Sequence, residues 1–411
     1  MSWLKVAVCC LVLTMCGGLL AGCTDPDLVC EDVLGCVQVG ANDPIRVGYL
    51  LALTGDGGYL GQDSLRGMEM ALAERDALFM GHPIELVGAD TGCVVETGRL
   101  AALATADNPS LVGVIGPTCS AVAEAVIPII NRAGLVMISP SSTRPDLPLV
   151  DGAATGEWQK SFFRTVPNAL WQGQVAAEFA TQALGVTSAA VIYDETVWSE
   201  ALRQSFVEAF MALGGQVMFM RQMTVGQTDV SELMTLVSSS QPELIYLPLF
   251  EPEASLLINN LPANPERVLL GADSLLLPSF AESAGTAVRG MAVTGPAVAG
   301  AAHDAFLEQW AVTYGDVPQV PYHAYAYDGV AMLLAAAEAV AQEGRNGELL
   351  IGRQALREVL AERPFVGLSG TLACQGGECS RPAAIGVYQL TDEQILGRVW
   401  PPPLIWQPTE Q

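Results

Sequence analysis

Two hydroxyl-rich segments are the first parts of this sequence whose residue types suggest binding chemistry. Residues 116–120 read GPTCS and residues 139–145 read SPSSTRP, and each follows an apolar run typical of a buried strand. Backbone N–H groups at a helix start, together with Ser and Thr hydroxyls, can bind a carboxylate without a formal cation. The hydroxyls of interest belong to Ser120, Ser141, Ser142 and Thr143. The alternative is that they only cap helices, as Ser and Thr very often do.

An ammonium group on the same ligand would need a carboxylate partner. Asp273, after the apolar run 268–271 in the second half of the chain, is the candidate, although a helix cap would use the same residue type. Aromatic and apolar side chains in facing loops could enclose the rest of the ligand. These side chains are Tyr59, Leu60, Trp198 and Phe250, each of which could equally serve ordinary packing. The sequence thus predicts a site for an amino-acid-like ligand.

Enzyme chemistry is not indicated by any motif. The sequence contains no GxSxG elbow, no Walker loop and no HExxH pair. The glycine-rich residues 55–61 miss the third spacing of a dinucleotide-binding loop. None of the three histidines (His82, His303 and His323) lies in a hydroxyl-rich segment, so no base is at hand for a serine nucleophile. We therefore expect a binding protein without catalysis, cofactor or metal.

The elements that must position these residues alternate between strand and helix. The predicted strands are 45–51, 84–89, 111–116, 135–139, 189–193, 216–222, 244–249 and 268–271, with a last strand at 384–390. Such repeated units argue for parallel sheets covered by helices. Because the alternation restarts after residues 162–167, we predict two Rossmann-like α/β lobes. Ligands of open α/β sheets gather at the carboxyl ends of the strands, where the candidate residues fall.

Length and charge limit the architecture and the partners. The chain has 411 residues, too many for one ordinary core, so two domains are expected. It carries 44 Asp and Glu against 19 Lys and Arg, a net charge of −25. Such a surface repels nucleic acid and anionic lipid, so neither is an expected partner.

The N-terminus predicts export. Residues 6–20 are almost continuously apolar after Lys5, which suits a secretory signal and is too short to span a bilayer comfortably. The run ends in residues 20–23, LAGC, which resemble the lipobox of bacterial lipoproteins. That resemblance implies a signal peptide of residues 1–22 and a lipid anchor on Cys23, which would hold an extracytoplasmic protein to the cell membrane. An ordinary signal peptide with a chance cysteine is the alternative.

Six cysteines beyond Cys23 indicate disulfides in an exported chain. Six cysteines allow fifteen pairings. Spacing favours two local bonds, Cys30–Cys36 and Cys374–Cys379, which leave Cys93 to pair with Cys119. A zinc site is the rival interpretation, but no histidine lies beside a cysteine pair.

The residues also match a known family in order and spacing. From about Ile45 to Leu390 the chain resembles the type I periplasmic binding proteins of branched-chain amino-acid ABC transporters, the leucine/isoleucine/valine-binding type. The segments that carry the resemblance are IRVGYLLALTG at 45–55, VIGPTCS at 114–120, MISPSSTRP at 137–145, FRTVP at 163–167 and AYDGV at 326–330. The family's disulfide between the loops after the second and third strands matches Cys93 and Cys119.

The resemblance implies how the charged ends of a ligand would be bound. Ser120 and Thr143 would bind the carboxylate through hydroxyl and backbone N–H groups. Ser141 would offer its backbone carbonyl, and Asp273 its carboxylate, to the ammonium. Ala169 falls where several relatives place an Asp near the ammonium, so Asp273 would be the sole anion there.

The resemblance also implies an enclosure for the ligand side chain. Trp198 stands where the family often has an aromatic lid, and Phe250 stands where it often has a tyrosine, so one hydroxyl is missing. Tyr59 and Leu60 occupy the loop that would touch the side chain.

The family's chain crosses between its lobes three times, which implies hinges near residues 164–167, 294–296 and 368–370. The implied divisions are a lipid-anchored tether (23–43), an N-terminal lobe (44–166 plus 296–369), a C-terminal lobe (167–295 plus 370–400) and a tail (401–411). The ligand-bound, closed form would be recognised by the membrane permease of an ABC transporter. The alternative is a sensory or regulatory protein of the same fold that binds an amide, urea or organic acid.

Overall fold

The computed structural model describes residues 28–55, 57–149 and 160–408. In chain order its strands are β1 (Cys36–Val39), β2 (Ile45–Leu51), β3 (Leu78–Phe79), β4 (His82–Asp90), β5 (Leu111–Ile115), β6 (Met137–Ser139), β7 (Phe162–Arg164), β8 (Ser188–Asp194), β9 (Gln216–Met223), β10 (Leu244–Leu247), β11 (Val268–Gly271), β12 (Ala292–Pro296), β13 (Ala341–Glu343), β14 (Leu349–Gly352), β15 (Phe365–Gly367), β16 (Gly370–Leu372), β17 (Ile385–Gln389) and β18 (Leu404–Trp406). Its α-helices are α1 (Gly58–Ala73), α2 (Val95–Ala106), α3 (Ser120–Arg132), α4 (Ala169–Glu178), α5 (Val197–Ala212), α6 (Ser231–Ser240), α7 (Glu253–Asn260), α8 (Pro278–Ala284), α9 (Ala301–Tyr314), α10 (Tyr322–Val340), α11 (Arg353–Glu362) and α12 (Asp392–Ile395).

The first sheet has the strand order β3-β4-β2-β5-β6-β7, and all its neighbours from β4 to β7 pair in parallel. Its central strands are apolar on both faces because helices cover both sides, and every residue of β5 is buried. Helix α10 belongs to this sheet although it lies far along the chain, since Val330 and Leu333 pack in the same core as Val47 and Ile115.

The second sheet has the order β18-β17-β12-β11-β10-β8-β9. Strands β12, β11, β10, β8 and β9 pair in parallel, whereas β17 and β18 are antiparallel additions at one edge. Two separate, largely parallel sheets flanked by helices confirm the predicted class of two Rossmann-like α/β lobes.

Strand pairing and core packing extend into segments that the sequence assigned to the tether, the tail and the C-terminal lobe. Residues 36–39 of the expected tether form β1, which pairs with β14, and its Val37 and Val39 are buried in the first core. The expected tail contains β18, which pairs with β17, so the strand predicted at 384–390 is not the last. Leu372 and Cys379, assigned by sequence to the C-terminal lobe, pack in the first core.

The three disulfides join the predicted partners, Cys30–Cys36, Cys93–Cys119 and Cys374–Cys379. The predicted signal peptide and the lipid-anchor residue Cys23 lie outside the described residues. Within residues 28–408, apart from the undescribed gaps, no helix combines the length and apolarity needed to cross a bilayer.

Candidate ligand-binding cleft

The two hydroxyl-rich segments form one hydrogen-bonded unit after β5 and β6. The hydroxyls of Ser139 and Ser142 both donate to the carbonyl of Pro117, at 2.7 and 2.8 Å. The Ser141 hydroxyl donates to the Thr118 carbonyl at 3.1 Å. Ser142 is buried, and its hydroxyl ties the two loops together. The loops therefore hold each other in place, and their remaining polar groups are oriented by that packing.

Ser120 and Thr143 contribute the polar groups that this unit leaves for other partners. Ser120 begins α3, and its Oγ accepts a hydrogen bond from the backbone N–H of Arg144 at 3.2 Å, so its own proton remains available for donation. The Thr143 side chain is only 2% exposed, yet its Oγ1 has no hydrogen-bond partner among the described residues. A buried, unpaired hydroxyl is unfavourable, so this atom has unused capacity for a further hydrogen bond.

Arg164 positions the Thr143 loop, a role that the sequence analysis did not foresee when it placed this residue in a hinge. Its guanidinium is fully buried and donates to the backbone carbonyls of Ser142 (3.1 Å), Arg144 (2.6 Å) and Pro145 (3.1 Å). Its charge is paired with Glu378, whose carboxylate accepts from Nε at 2.9 Å and also from Nη2. The sequence signal for this role was a single positively charged residue within the mostly apolar segment 162–166. A buried Arg in such a segment needs an acidic or hydrogen-bonding partner elsewhere in the chain.

Asp273 lies on the second sheet, in the turn that follows β11. The Gln172 amide donates to its Oδ1 at 2.7 Å, and the Tyr322 hydroxyl donates to its Oδ2. Burial raises the pKa of Asp273, while the hydrogen bonds from Tyr322 and Gln172 act in the opposite direction. Each carboxylate oxygen has two lone pairs, so both oxygens retain capacity for a further donor such as an ammonium.

Helix α4 connects the Thr143 loop with Asp273. At the helix start, the backbone N–H of Ala169 donates to the carbonyl of Thr143 at 2.8 Å. Three residues later, Gln172 of the same helix donates to Asp273. Positions three apart on a helix are neighbours on one face, roughly 5 to 6 Å between Cβ atoms. The polar groups of the first sheet and the carboxylate of the second therefore contact neighbouring positions of one helix.

Two of the aromatic candidates contact each other at the strand ends of the second sheet. Trp198, near the start of α5, and Phe250, after β10, have ring centroids 4.6 Å apart with planes inclined by 47°. The Trp198 helix is fixed to the strand ends because Ser199 donates a hydrogen bond to the Pro248 carbonyl. Both rings are half-buried, and together they offer an apolar face on the second lobe.

The sequence predicts that Tyr59 and Leu60 lie in the glycine-rich loop, but the structure places them in a helix. Helix α1 begins at Gly58, so both residues belong to its first turn, where they pack against the core of the second sheet. A Cβ on Gly61 would lie 1.9 Å from the carbonyl oxygen of Ala52, so the helix can start so close to β2 only because residue 61 is glycine. The preceding loop is held by Asp90, whose Oδ1 accepts from Leu53 N at 2.8 Å.

Sequence reasoning also missed Tyr322, the first residue of α10. It is 3% exposed, packs in the second core and donates its hydroxyl to Asp273. A tyrosine at a helix start gives no sequence signal of this role, because the contact depends on how α10 of the first lobe meets the second.

The histidines are placed apart from the candidate residues. His303 and His323 are buried, with their Nε2 atoms 3.1 Å apart, and His323 Nδ1 lies 2.7 Å from the Val320 carbonyl. His82 begins β4, and its two ring nitrogens lie 2.8 Å from the carbonyl oxygens of Asp43 and Gly347. Among the residues that the structure describes, no cluster of three or more His, Cys, Asp or Glu side chains could hold a metal ion.

Comparisons with known proteins agree with this architecture. The chain matches the periplasmic binding protein family over residues 44–391. It is 25% identical over 284 residues to a Leu/Ile/Val/Thr-binding protein of Salmonella typhimurium, which covers 68% of this chain and 73% of that protein. A leucine-binding protein from Thermotoga maritima superimposes with a TM-score of 0.72 at 25% identity, covering 85% of this chain and 96% of that one. The isoleucine complex of a branched-chain amino acid transporter substrate-binding protein from Streptococcus pneumoniae gives 0.74 at 19% identity, covering 89% and 100%. The chain therefore belongs to the periplasmic binding protein family, whose members bind solutes and carry out no reaction on them.

Proposed function

We propose that this protein is an exported solute-binding protein that captures an amino acid between its two lobes and delivers it to the membrane permease of an ABC transporter. The proposal draws on the family match over residues 44–391 and on relatives named for binding leucine, isoleucine, valine or threonine. The sequence features at residues 1–23 add export and a lipid anchor on Cys23.

The observation that carries the proposal is the pair of complementary groups joined through α4. On one side lie the unpartnered hydroxyl of Thr143 and the hydroxyl of Ser120, which suit a carboxylate. On the other side lies the Asp273 carboxylate, which suits an ammonium. An α-amino acid carries both groups a few ångströms apart, whereas a simple acid or amine carries only one.

Capture would use the hinge between the lobes. The first lobe would supply Ser120, Thr143, Tyr59 and Leu60, and the second would supply Trp198, Phe250 and Asp273. A ligand that touches both sets binds the closed form more tightly than the open one, and this difference drives closure. We propose that the lobes divide near residues 166 and 296, as the sequence implies, with the third crossing between Cys379 and Ile385, where the chain passes from the first core to β17.

A thermal-shift screen of the mature protein in detergent, followed by tryptophan fluorescence, tests the proposal. The panel would contain the twenty amino acids, their des-amino acids and benzoate, each at millimolar concentration. A ligand with micromolar affinity should then stabilise the protein by roughly 4 kcal/mol. Stabilisation by one group of α-amino acids supports the proposal, and stabilisation only by acids without an amine contradicts it.

A further inference from the structure

We propose that the first lobe rests on the lipid surface by the edge of its sheet opposite the ligand, so that the cleft opens away from the membrane. We call this edge the base. It consists of the turns that precede β2, β4, β5 and β6, around Asp43, His82, Pro109 and Ala133. The inference rests on the lipid anchor at Cys23 proposed above and extends it to an orientation.

Side-chain contacts attach the base to a later part of the chain, the β13–β14 hairpin and the start of α11. The two ring nitrogens of His82 lie 2.8 Å from the carbonyl oxygens of Asp43 and of Gly347, which lies in the hairpin between β13 and β14. Arg353, at the start of α11, donates to the carbonyls of Ala133 (2.6 Å) and Pro109 (3.2 Å). These bonds connect the starts of neighbouring strands through one rigid hairpin and helix.

The first described residues are fixed to this same base. Asp32 accepts hydrogen bonds from the backbone N–H groups of Gln354 and Ala355, both at 3.0 Å. Arg353 N donates to the Gly35 carbonyl at 3.0 Å, and the disulfide Cys30–Cys36 closes the loop that contains these contacts. Strand β1 then continues this attachment by pairing with β14. The N-terminal segment therefore enters the lobe at the base, and it is held against the lobe from residue 30 onward.

The remaining tether is short. Only residues 24–27 separate Cys23 from Leu28. Even a fully extended chain spans at most about 3.6 Å per residue, so the acylated sulfur would lie within roughly 18 Å of Leu28. The Leu28 side chain lies beside Gly344 of the β13–β14 hairpin, since a Cβ on that glycine would be 3.4 Å from it. The lipid surface must then lie close to the base.

The ligand-binding residues lie at the other ends of the same strands. The Thr143 loop follows the carboxyl end of β6, and Ser120 begins the helix after β5, whereas the base precedes both strands. The seven residues of β2 span roughly 20 Å between these two edges. A lobe held by its base therefore turns the cleft toward the aqueous side, where ligand arrives, and must pivot on its anchor to reach a permease.

Energy transfer to the membrane can measure this orientation with a label native to the chain. Lys160 is the only lysine after residue 5, and it immediately precedes Ser161, whose carbonyl accepts from Met137 N at the start of β6. An amine-reactive donor dye would thus mark the base. The matched variant combines Lys160→Arg with Val94→Lys, because Val94 follows β4 at the cleft edge of the same lobe and is 54% exposed. Lys160→Arg alone gives the background from the N-terminus.

The full acylated proteins would be inserted in phosphatidylcholine vesicles that carry a headgroup acceptor dye, and leucine or the best ligand of the screen would verify binding. Higher energy transfer from position 160 than from position 94 supports the orientation. The transfer from position 160 should also decrease when twenty Gly and Ser residues are inserted after residue 24. Equal or greater transfer from position 94 with ligand binding intact overturns the orientation and leaves the proposed function standing. Failure of the acylated protein to associate with vesicles overturns the anchor and the orientation together, whereas loss of ligand binding alone counts only against the proposed function.

Discussion

The Tyr322 hydroxyl donates a hydrogen bond to Asp273, and this bond links the first helix turn of α10 to the second sheet. The later turns of α10 pack in the core of the first sheet, so the bond spans the two lobes. The same carboxylate that would pair with a ligand ammonium is therefore already held by a neutral donor from the other lobe. That arrangement orients Asp273 before a ligand arrives.

Replacing Tyr322 by Phe should weaken ligand binding. The substitution removes a hydrogen bond to a charged group, a loss of about 1.5–3 kcal/mol in folding stability, and leaves Asp273 less firmly oriented for a ligand. We expect the dissociation constant to rise by about 10-fold. Calorimetric titration measures it. Tyr325→Phe is the control, because the Tyr325 hydroxyl is equally buried and has no hydrogen-bond partner in the described structure. Equal weakening in both variants would mean that Tyr322 acts by packing alone.

Replacing Thr143 by Val should reduce affinity without destabilising the ligand-free protein. The lost hydroxyl has no protein partner among the described residues, so only the bond to the ligand carboxylate disappears. We expect roughly 10-fold or greater weakening with an unchanged or slightly higher melting temperature. Thr118→Val provides the contrast: its Oγ1 accepts from Ala52 N at 2.9 Å, so that variant should lose stability. A less stable Thr143→Val protein with full affinity would refute a role in ligand binding.

Replacing Glu378 by Ala should destabilise the protein and loosen the Thr143 loop. The change leaves the fully buried Arg164 guanidinium without its counter-charge, which costs about 3 kcal/mol in comparable pairs. Denaturant unfolding measures the loss, and titration of the folded protein measures the weaker binding. Glu96→Ala, which removes an exposed partner of Arg99, should change neither quantity measurably. Indistinguishable effects of the two variants would show that the buried pair is dispensable.

His323 should make the protein less stable in acid. Burial lowers its pKa from 6.5 to about 3, so the unfolded chain binds this proton more readily than the folded chain. Its contribution to the free energy of unfolding is therefore present above pH 6.5 and is lost as the pH falls toward 3. Burial of Asp63 acts in the opposite direction, because its pKa rises to about 6.

The variant His323→Asn tests this effect, since Asp63 is common to both proteins. The stability of the wild type relative to this variant should decrease as the pH falls from 6.5, as measured by thermal unfolding at a series of pH values. A difference that stays constant with pH would show that His323 is not buried in its neutral form.

The sequence predicted the parts of this molecule that depend on local pattern. Apolar runs located β2, β4, β5 and β6 of the first sheet and β8 to β11 and β17 of the second, although they missed β7 and the buried strand β12. Short cysteine spacings identified the bonds Cys30–Cys36 and Cys374–Cys379. The loops with candidate binding residues follow from the parallel arrangement, because parallel strands place their carboxyl ends at one edge.

The features that the sequence did not predict depend on contacts between residues far apart in the chain. Strand β1 reads as a tether because only Val37 and Val39 of its four residues are strongly apolar, and its partner β14 lies far along the chain. Arg164 and Tyr322 acquire their roles only when Glu378 and Asp273 are brought beside them by the fold. Local secondary-structure propensity contains no information about either of these two contacts.

A single comparison tests the central claim that carboxylate and ammonium are bound from opposite lobes. It measures the affinities of the preferred amino acid and of its des-amino acid for the wild type and for Asp273→Asn, which keeps the acceptor for Gln172 but removes the charge. We predict that the wild type strongly prefers the amino acid and that the variant loses this preference while still binding the des-amino acid. If the variant binds both ligands more weakly by the same factor, or retains the wild-type preference, Asp273 is not the ammonium partner and the claim is wrong.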